Sequence, residues 1–244
     1  LQGVYDAMYI AKSRNANAAL ASLTKDVPWT PLLRTTIGSK EGAFRLRLLD
    51  VSADGQNLTV YRTGLAATAG FSQPGDIASA LLNQGVLPLA SPDWKALSDG
   101  WFGEGVYMET LEMAGDWYAN STVFCLKRTR WQVLVASFPL VDEAQKAFLG
   151  YVTQGHPRYE ASKKEAYLDR VKRAYIRLDA VVGSLLETDG NTILILASPS
   201  GSRPVDRVFY VNRWLRDQGW LGLRADGEID WNSTKAYYCG DGQL

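Results

Sequence analysis

The sequence predicts an α/β fold with a doubly wound, mostly parallel sheet, helices on both faces and a β-rich inserted segment. Two apolar runs, residues 131–139 and 192–197, have the length and β-branched content of strands buried on both faces. A long amphipathic helix pattern lies between them, and a shorter helix pattern follows the second run. This alternation of strand and helix is typical of βαβ units.

The chain is predicted to divide near residue 88. Residues 1–88 are interpreted as the inserted cap-like segment, with a helix and a β-hairpin or meander, and residues 89–244 as the α/β core. The helix is expected over residues 5–23, which are rich in Ala and Asn, and it should end before Pro28.

A hairpin is expected next, because residues 44–49 and 58–62 have strand character and flank the turn signal Asp54-Gly55. Helix-start chemistry and apolar spacing then predict three helices, over residues 76–82, 91–97 and 104–118. All three precede the first apolar run.

The strongest helix signal of the chain lies between the two apolar runs. Apolar side chains recur there at spacings of three and four, at Leu168, Val171, Tyr175, Leu178, Val182 and Leu185. After the second run, a helix is expected over residues 208–218, where Gly219 would end it.

Composition excludes some functions and leaves others open. The 244 residues carry 26 Lys+Arg against 26 Asp+Glu, which disfavours nucleic acid and anionic membranes as main partners. No stretch approaches the roughly 20 apolar residues of a membrane span. His156 is the single histidine, so zinc sites with two or three histidines cannot be built. Two cysteines neither require nor exclude a disulfide.

Two loops follow the predicted strands, where open α/β sheets bind their ligands. In the first loop, Asp142 and Lys146 are four residues apart, so on a helix they either form an ordinary ion pair or together hold an anion or a metal-bound group. The second loop, residues 198–204, either is a plain turn or holds phosphate with its backbone and Arg203. It lacks the GxxxxGK pattern of a P-loop.

The flanking motifs of these loops resemble a known family. Residues 134–146, 174–186, 192–201, 208–221 and 229–237 are similar to the type I phosphodiesterase/nucleotide pyrophosphatase branch of the alkaline phosphatase superfamily. The most specific motifs are a Val-Asn-x-x-Leu helix that ends in Gly, and Asp-Trp-x-x-Thr-x-Ala-Tyr. The resemblance runs from about residue 88 to the end of the sequence and implies the predicted α/β core with an inserted cap.

In that family, two zinc-like ions activate a Thr or Ser nucleophile in an in-line displacement. The resemblance implies that Asp142 keeps its ligand position, in an Asp-x-x-x-His element whose His is replaced by Lys146. The Ser-Asp-His-Gly element has Pro199 in place of Asp and Ser200 in place of His. The nucleophile segment and a final His are expected to lie outside residues 1–244.

The function expected from this resemblance is that of a catalytically degenerate phosphodiesterase-like protein with no bound cofactor. Its partner would be a phosphate-containing small molecule, with Arg203 as a candidate anion contact. Two alternatives stay open: an active metal-dependent phosphoester hydrolase completed by flanking segments, or an unrelated small-molecule binding module. The compartment, substrate and protein partners are not indicated by the residues, although family analogy implies export or association with the cell envelope.

Overall fold

The computed structural model describes residues 5–11, 13–128, 130–186 and 192–240. The chain forms two compact units, Leu1–Arg203 and Pro204–Leu244. The predicted division near residue 88 therefore lies within the first unit and stays a prediction about domain origin. No helix in the described ranges has both the length and the apolar character that crossing a membrane requires.

Small antiparallel sheets form the first part of the first unit. The strands are β1 (Ala7–Ala11), β2 (Ala19–Thr24), β3 (Leu33–Ile37), β4 (Lys40–Phe44), β5 (Leu46–Val51), β6 (Leu58–Arg62) and β7 (Ala66–Ala67). β1 pairs with β2, β5 pairs with β6, and β4 lies between β3 and β7. The β5–β6 pair confirms the hairpin expected around Asp54-Gly55.

The helix predicted over residues 5–23 is wrong, because this segment forms β1 and β2. Their side chains alternate between inside and outside: in β2, Ala21 and Leu23 are buried, whereas Leu20 is 53% exposed. Leu23 packs with Leu48 and Val51 of the neighbouring hairpin. Burial on one side of a paired strand therefore overrides the helical preference of the alanines.

Helices follow the strands, and they confirm the predicted positions with shifted ends. They are α1 (Asp76–Asn83), α2 (Trp94–Ser98), α3 (Glu104–Arg128), α4 (Leu140–Val152), α5 (Lys164–Leu186) and α6 (Val211–Asp217). α3 runs ten residues beyond its predicted end at Tyr118. In this extension, the hydroxyls of Ser121 and Thr122 donate to backbone carbonyls one turn earlier. The helix therefore accommodates these polar side chains without an interruption of its backbone.

The main core lies where α3, α4 and α5 meet. Tyr107 and Phe148 are each 1% exposed, and their rings pack edge to face with centroids 5.8 Å apart. α5 contributes Tyr167, Val171 and Ala174 to this core. The buried face of α5 therefore differs from the predicted one, since the predicted core residues Leu168 and Tyr175 are about half exposed. The small side chain of Ala174 allows the neighbouring helices to approach closely on the face that is buried.

Ion pairs join α3 to α5 outside this core. Arg170 binds Glu104 at 2.9 Å, Arg173 binds Glu112 at 2.5 Å, and Arg177 binds Asp116. The residue numbers of the partners increase together along the two helices, so α3 and α5 run in the same direction.

The β-rich part is held to α3 by the carboxylate of Glu109. Arg47 of β5 donates to it through Nε at 2.6 Å and Nη2 at 2.8 Å, and the indole nitrogen of Trp29 donates at 2.7 Å. Burial alone would raise the pKa of Glu109, but the hydrogen bonds from Arg47 and Trp29 outweigh it, and the pKa lies below its ordinary value.

The two apolar runs differ from the prediction. Residues 131–139 and 192–197 form no strand, and no parallel sheet is present in the described ranges. Val133 and Val135 are 80% and 89% exposed, and Ile193 and Ile195 are 87% and 81% exposed. The physical reason is that a strand requires a hydrogen-bonded neighbour, and within the described chain the backbone of residues 133–138 and 193–197 has no hydrogen bond to another segment.

The second unit is built around α6 and a returning segment. The side-chain amide of Asn212 bonds the backbone of Tyr238 twice, donating to its oxygen at 2.8 Å and accepting from its nitrogen at 2.7 Å. Leu215 and Leu221 are its buried apolar residues. Gly219 follows the helix at φ 70°, which confirms the predicted stop.

Replacing Glu109 by Gln is expected to lower the free energy of unfolding by about 1–2 kcal/mol at neutral pH, because charge-assisted hydrogen bonds to Arg47 are lost. The value is modest because the carboxylate side chain is 36% exposed and partly screened by water. Urea unfolding at several pH values measures it. Because the folded pKa is lowered, the contribution of the carboxylate is present above the unfolded pKa of about 4.3 and is lost as the pH falls through the folded pKa.

Glu112→Gln is the matched control: Glu112 lies on α3, as Glu109 does, but it pairs with Arg173 of α5, and both of these side chains are more exposed than those of the Glu109–Arg47 pair. Its loss should cost less than about 1 kcal/mol. Equal losses for the two variants, or a Glu109→Gln effect that grows at low pH, would contradict the structural role of Glu109.

Candidate functional site

The candidate site lies at the start of α4. The helix begins at Leu140 after Pro139, and its first turn contains Asp142 and Glu143. Carboxylates are favourable there, because the helix dipole presents positive charge at this end. The 3.6-residue repeat brings Lys146 onto the same face, as the spacing of four predicts.

Lys146 binds both acids of this first turn. Its Nζ lies 2.7 Å from Asp142 Oδ2 and 3.3 Å from Glu143 Oε1. The side chains of Lys146 and Asp142 are 60% and 48% exposed, so water screens the pair. The ordinary helix ion pair, one of the two alternatives for this spacing, is therefore formed.

Asp142 has a second partner from a distant part of the sequence. The hydroxyl of Ser202 donates to Asp142 Oδ1 at 3.0 Å, which joins the two predicted loops. The hydrogen bond from Lys146, with a smaller one from Ser202, lowers the pKa of Asp142 below its ordinary value. The same pair, led by the hydrogen bond to Asp142, raises the pKa of Lys146.

The remaining predicted residues lie in the second loop, residues 198–204. The hydroxyl of Ser198 donates to the carbonyl of Ser200 at 3.1 Å. Pro199, Ser200 and Arg203 are exposed. Within the described chain, the guanidinium of Arg203 has no ion pair, so it is a cation open to an added anion.

The buried core fixes the position of this helix start. The hydroxyl of Tyr107, on α3, donates to the carbonyl of Glu143 at 3.3 Å. Burial, followed by the charge of Glu143, raises the pKa of Tyr107, so the phenol stays protonated and keeps donating. Neither Tyr107 nor Ser202 was predicted from sequence as a site residue, because the residues that they contact are 36 and 60 positions away.

His156 lies apart from these contacts, in the turn that follows α4. Its Nδ1 accepts a hydrogen bond from the backbone nitrogen of Arg158 at 3.1 Å, and its ring lies against Gly150. In the described ranges, no group of three or more His, Cys, Asp or Glu side chains is arranged to hold a metal ion.

Comparison with known proteins identifies the family. The family model of type I phosphodiesterase / nucleotide pyrophosphatase matches residues 57–242, well over half of the chain. The chain therefore belongs to this family, in agreement with the resemblance of its loops and its C-terminal motifs to the alkaline phosphatase superfamily. No curated protein and no solved structure matches the chain.

Replacing Lys146 by Met is expected to raise the pKa of Asp142 toward its ordinary value near 3.9, because the largest cause of the lowered pKa is removed. Carbon-detected NMR titration of the side-chain carboxyl measures this shift. Ser202→Ala should raise the pKa by less. Lys95→Met, which breaks an i,i+4 pair with Asp99 on α2, is the control and should leave Asp142 unchanged. An unchanged pKa of Asp142 in the Lys146 variant would contradict the pairing.

Proposed function

We propose that this chain is a catalytically degenerate member of the type I phosphodiesterase/nucleotide pyrophosphatase family, in which the ammonium of Lys146 replaces a metal ion at Asp142. The observation that carries the proposal is the 2.7 Å contact between Lys146 Nζ and Asp142 Oδ2. An ammonium has donors but no acceptor, so it cannot ligate a cation and repels one nearby.

The other family positions support the same proposal. Pro199 has no side-chain donor atom, and Ser200 offers a neutral hydroxyl where an imidazole would bind. The residues present therefore do not fit a pair of zinc-like ions. What they can do is join the two loops: Asp142 forms an ion pair with Lys146 and accepts a hydrogen bond from Ser202.

We also propose that a phosphate-containing small molecule is the partner of this site, with Arg203 as its contact. Because the ammonium of Lys146 is paired with two carboxylates, its positive charge is largely balanced and attracts an added anion only weakly. Arg203 follows Ser202 directly, is exposed and has no ion pair in the described chain. A guanidinium binds phosphate oxygens in a bidentate manner, which favours Arg203 as the anion contact.

We propose that the fold of this family member is built on a doubly wound parallel sheet. Two features support it: the β-branched, charge-free residues 131–138 and 192–197, and the common direction of α3 and α5. In such a sheet, the loops with Asp142 and Arg203 would follow strand ends, where ligands bind.

The zinc content of the purified protein tests the degenerate site. After equilibrium dialysis against Zn²⁺, elemental analysis should find well under one ion per chain, whereas a value of about two, as a two-metal site requires, would contradict the proposal. The matched variant combines Lys146→His, Pro199→Asp and Ser200→His. It should bind more zinc than the parent protein, because it restores an imidazole, a carboxylate and a second imidazole.

Phosphate binding tests the role of Arg203. Inorganic phosphate should shift the amide NMR signals of Ser202 and Arg203, and Arg203→Gln should weaken binding about tenfold, the effect of one charge-assisted contact. Arg14→Gln is the control, since Arg14 is an exposed arginine of the β-rich part, and it should leave the affinity unchanged. Equal weakening by both variants would show a general charge effect and contradict a phosphate contact at Arg203.

A further inference from the structure

The second unit contains a cavity that is separate from the candidate site. Its volume is about 490 Å³, which is within the range of small-molecule sites. All of its lining residues belong to this unit, and three of the six have aromatic side chains. The lining consists of Phe209, Tyr210, Val211, Asn212, Arg213 and Tyr238.

Contacts inside the second unit hold the walls of this cavity in place. The side-chain amide of Asn212 binds the backbone of Tyr238 through two hydrogen bonds, which ties Tyr238 to the start of α6. The ring of Phe209 packs on Trp214 with centroids 6.2 Å apart, and Trp214 packs on Trp220 with centroids 5.7 Å apart. Walls that are fixed before binding reduce the entropy that is lost when a ligand enters.

Three polar groups of the lining have no protein partner within the described chain. The guanidinium of Arg213 is exposed and makes neither an ion pair nor a hydrogen bond there. The hydroxyls of Tyr210 and Tyr238 make no hydrogen bond in the same ranges. Arg216 of the same helix, by contrast, binds Asp217 at 2.9 Å. The charge of Arg213 is therefore available to an anion at the cavity.

The lining combines two kinds of contact, and only one class of ligand uses both. Aromatic side chains favour a flat ring, which they contact face to face or edge to face. A guanidinium favours an anionic group, whose oxygens it can bind with two parallel N–H groups. An inorganic anion would leave the aromatic walls in contact with water, and a neutral apolar molecule would leave the guanidinium without a partner.

We infer that the cavity of the second unit binds a small molecule that joins a flat aromatic ring to an anionic group. The ring lies against the side chains of Phe209, Tyr210 and Tyr238, and the anionic group binds Arg213. The phenol hydroxyls of the two tyrosines supply further hydrogen bonds to polar atoms of the ligand.

This inference goes beyond the proposed function and does not depend on it. The proposed phosphate contact is Arg203, which belongs to the first unit, whereas the cavity lies in the second. Its lining residues also lie outside the two apolar runs that are proposed as strands. Because inorganic phosphate has no ring, the phosphate titration and a titration with an aromatic anion fail independently.

Three probes test the ligand chemistry in amide NMR titrations of the purified protein. Naphthoate has a flat ring and a charge, naphthamide has the ring without the charge, and decahydronaphthoate has the charge without the flat ring. Naphthoate should shift the signals of Tyr210 and Arg213. It should bind about tenfold more tightly than either of the other probes, because each of them lacks one of the two contacts.

Replacing Arg213 by Gln tests the anion contact. This variant should weaken the binding of naphthoate about tenfold and change that of naphthamide by less than about twofold, because naphthamide has no charge to lose. Arg216→Gln is the matched control, since it removes the same charge from the same helix at a residue that does not line the cavity. It should leave both affinities unchanged.

Replacing Phe209 by Leu tests the aromatic contact, because it removes the ring and keeps an apolar side chain. The binding of naphthoate should weaken about fivefold, whereas decahydronaphthoate should bind as before. Trp231→Leu is the control: this tryptophan is 65% exposed in the same unit and does not line the cavity. It should change neither affinity.

Four results would overturn the inference. They are the absence of naphthoate binding at millimolar concentration, equal affinities of the three probes, equal weakening by Arg213→Gln and Arg216→Gln, and equal weakening by Phe209→Leu and Trp231→Leu. Signal shifts confined to residues outside the lining would show that the ligand binds elsewhere and would overturn the assignment of this cavity.

Discussion

The edge-to-face packing of Tyr107 on Phe148 is the contact on which the rest of the first unit depends. Both side chains are 1% exposed, and they join α3 to α4 at the centre of the core that α5 completes. The hydroxyl of Tyr107 bonds the carbonyl of Glu143, so the same residue that fills the core also fixes the first turn of α4. Asp142 lies in that turn. Core packing therefore determines the position of this first turn.

Sequence patterns were sufficient for elements whose signal is local. α5 follows from a repeat of three and four, and the β5–β6 hairpin follows from two strand-like segments around a turn. The segment before residue 24 misled because Ala and Asn dominate its composition, while its informative feature is the period-two burial of Ala21 and Leu23. Exposed Leu20 and Tyr9 hide that period, since an apolar residue on the outer face looks like a residue of the core.

The same limit applies to the candidate site: its local contact follows from the sequence, and its long-range contact does not. The pairing of Asp142 with Lys146 depends on four residues of helix, so the spacing is informative. The hydrogen bond from Ser202 spans 60 positions, and nothing local to Ser202 distinguishes it from the other serines of its loop. Only the proximity of the two loops, which the strand-end argument anticipates in general terms, could have indicated such a contact.

Lys146, four residues after Asp142, changes the balance of charge in the first turn of α4. With an imidazole at that position, the carboxylates of the helix start would carry unbalanced negative charge and would favour a bound cation. With Lys146, the first turn supplies its own cation at 2.7 Å and 3.3 Å from two acids. The proposed function therefore assigns the binding of an anion to the other cation of these loops, the guanidinium of Arg203. In the proposed function, Lys146 thus takes the position of a metal ligand, and the site is proposed to bind an anion rather than a cation.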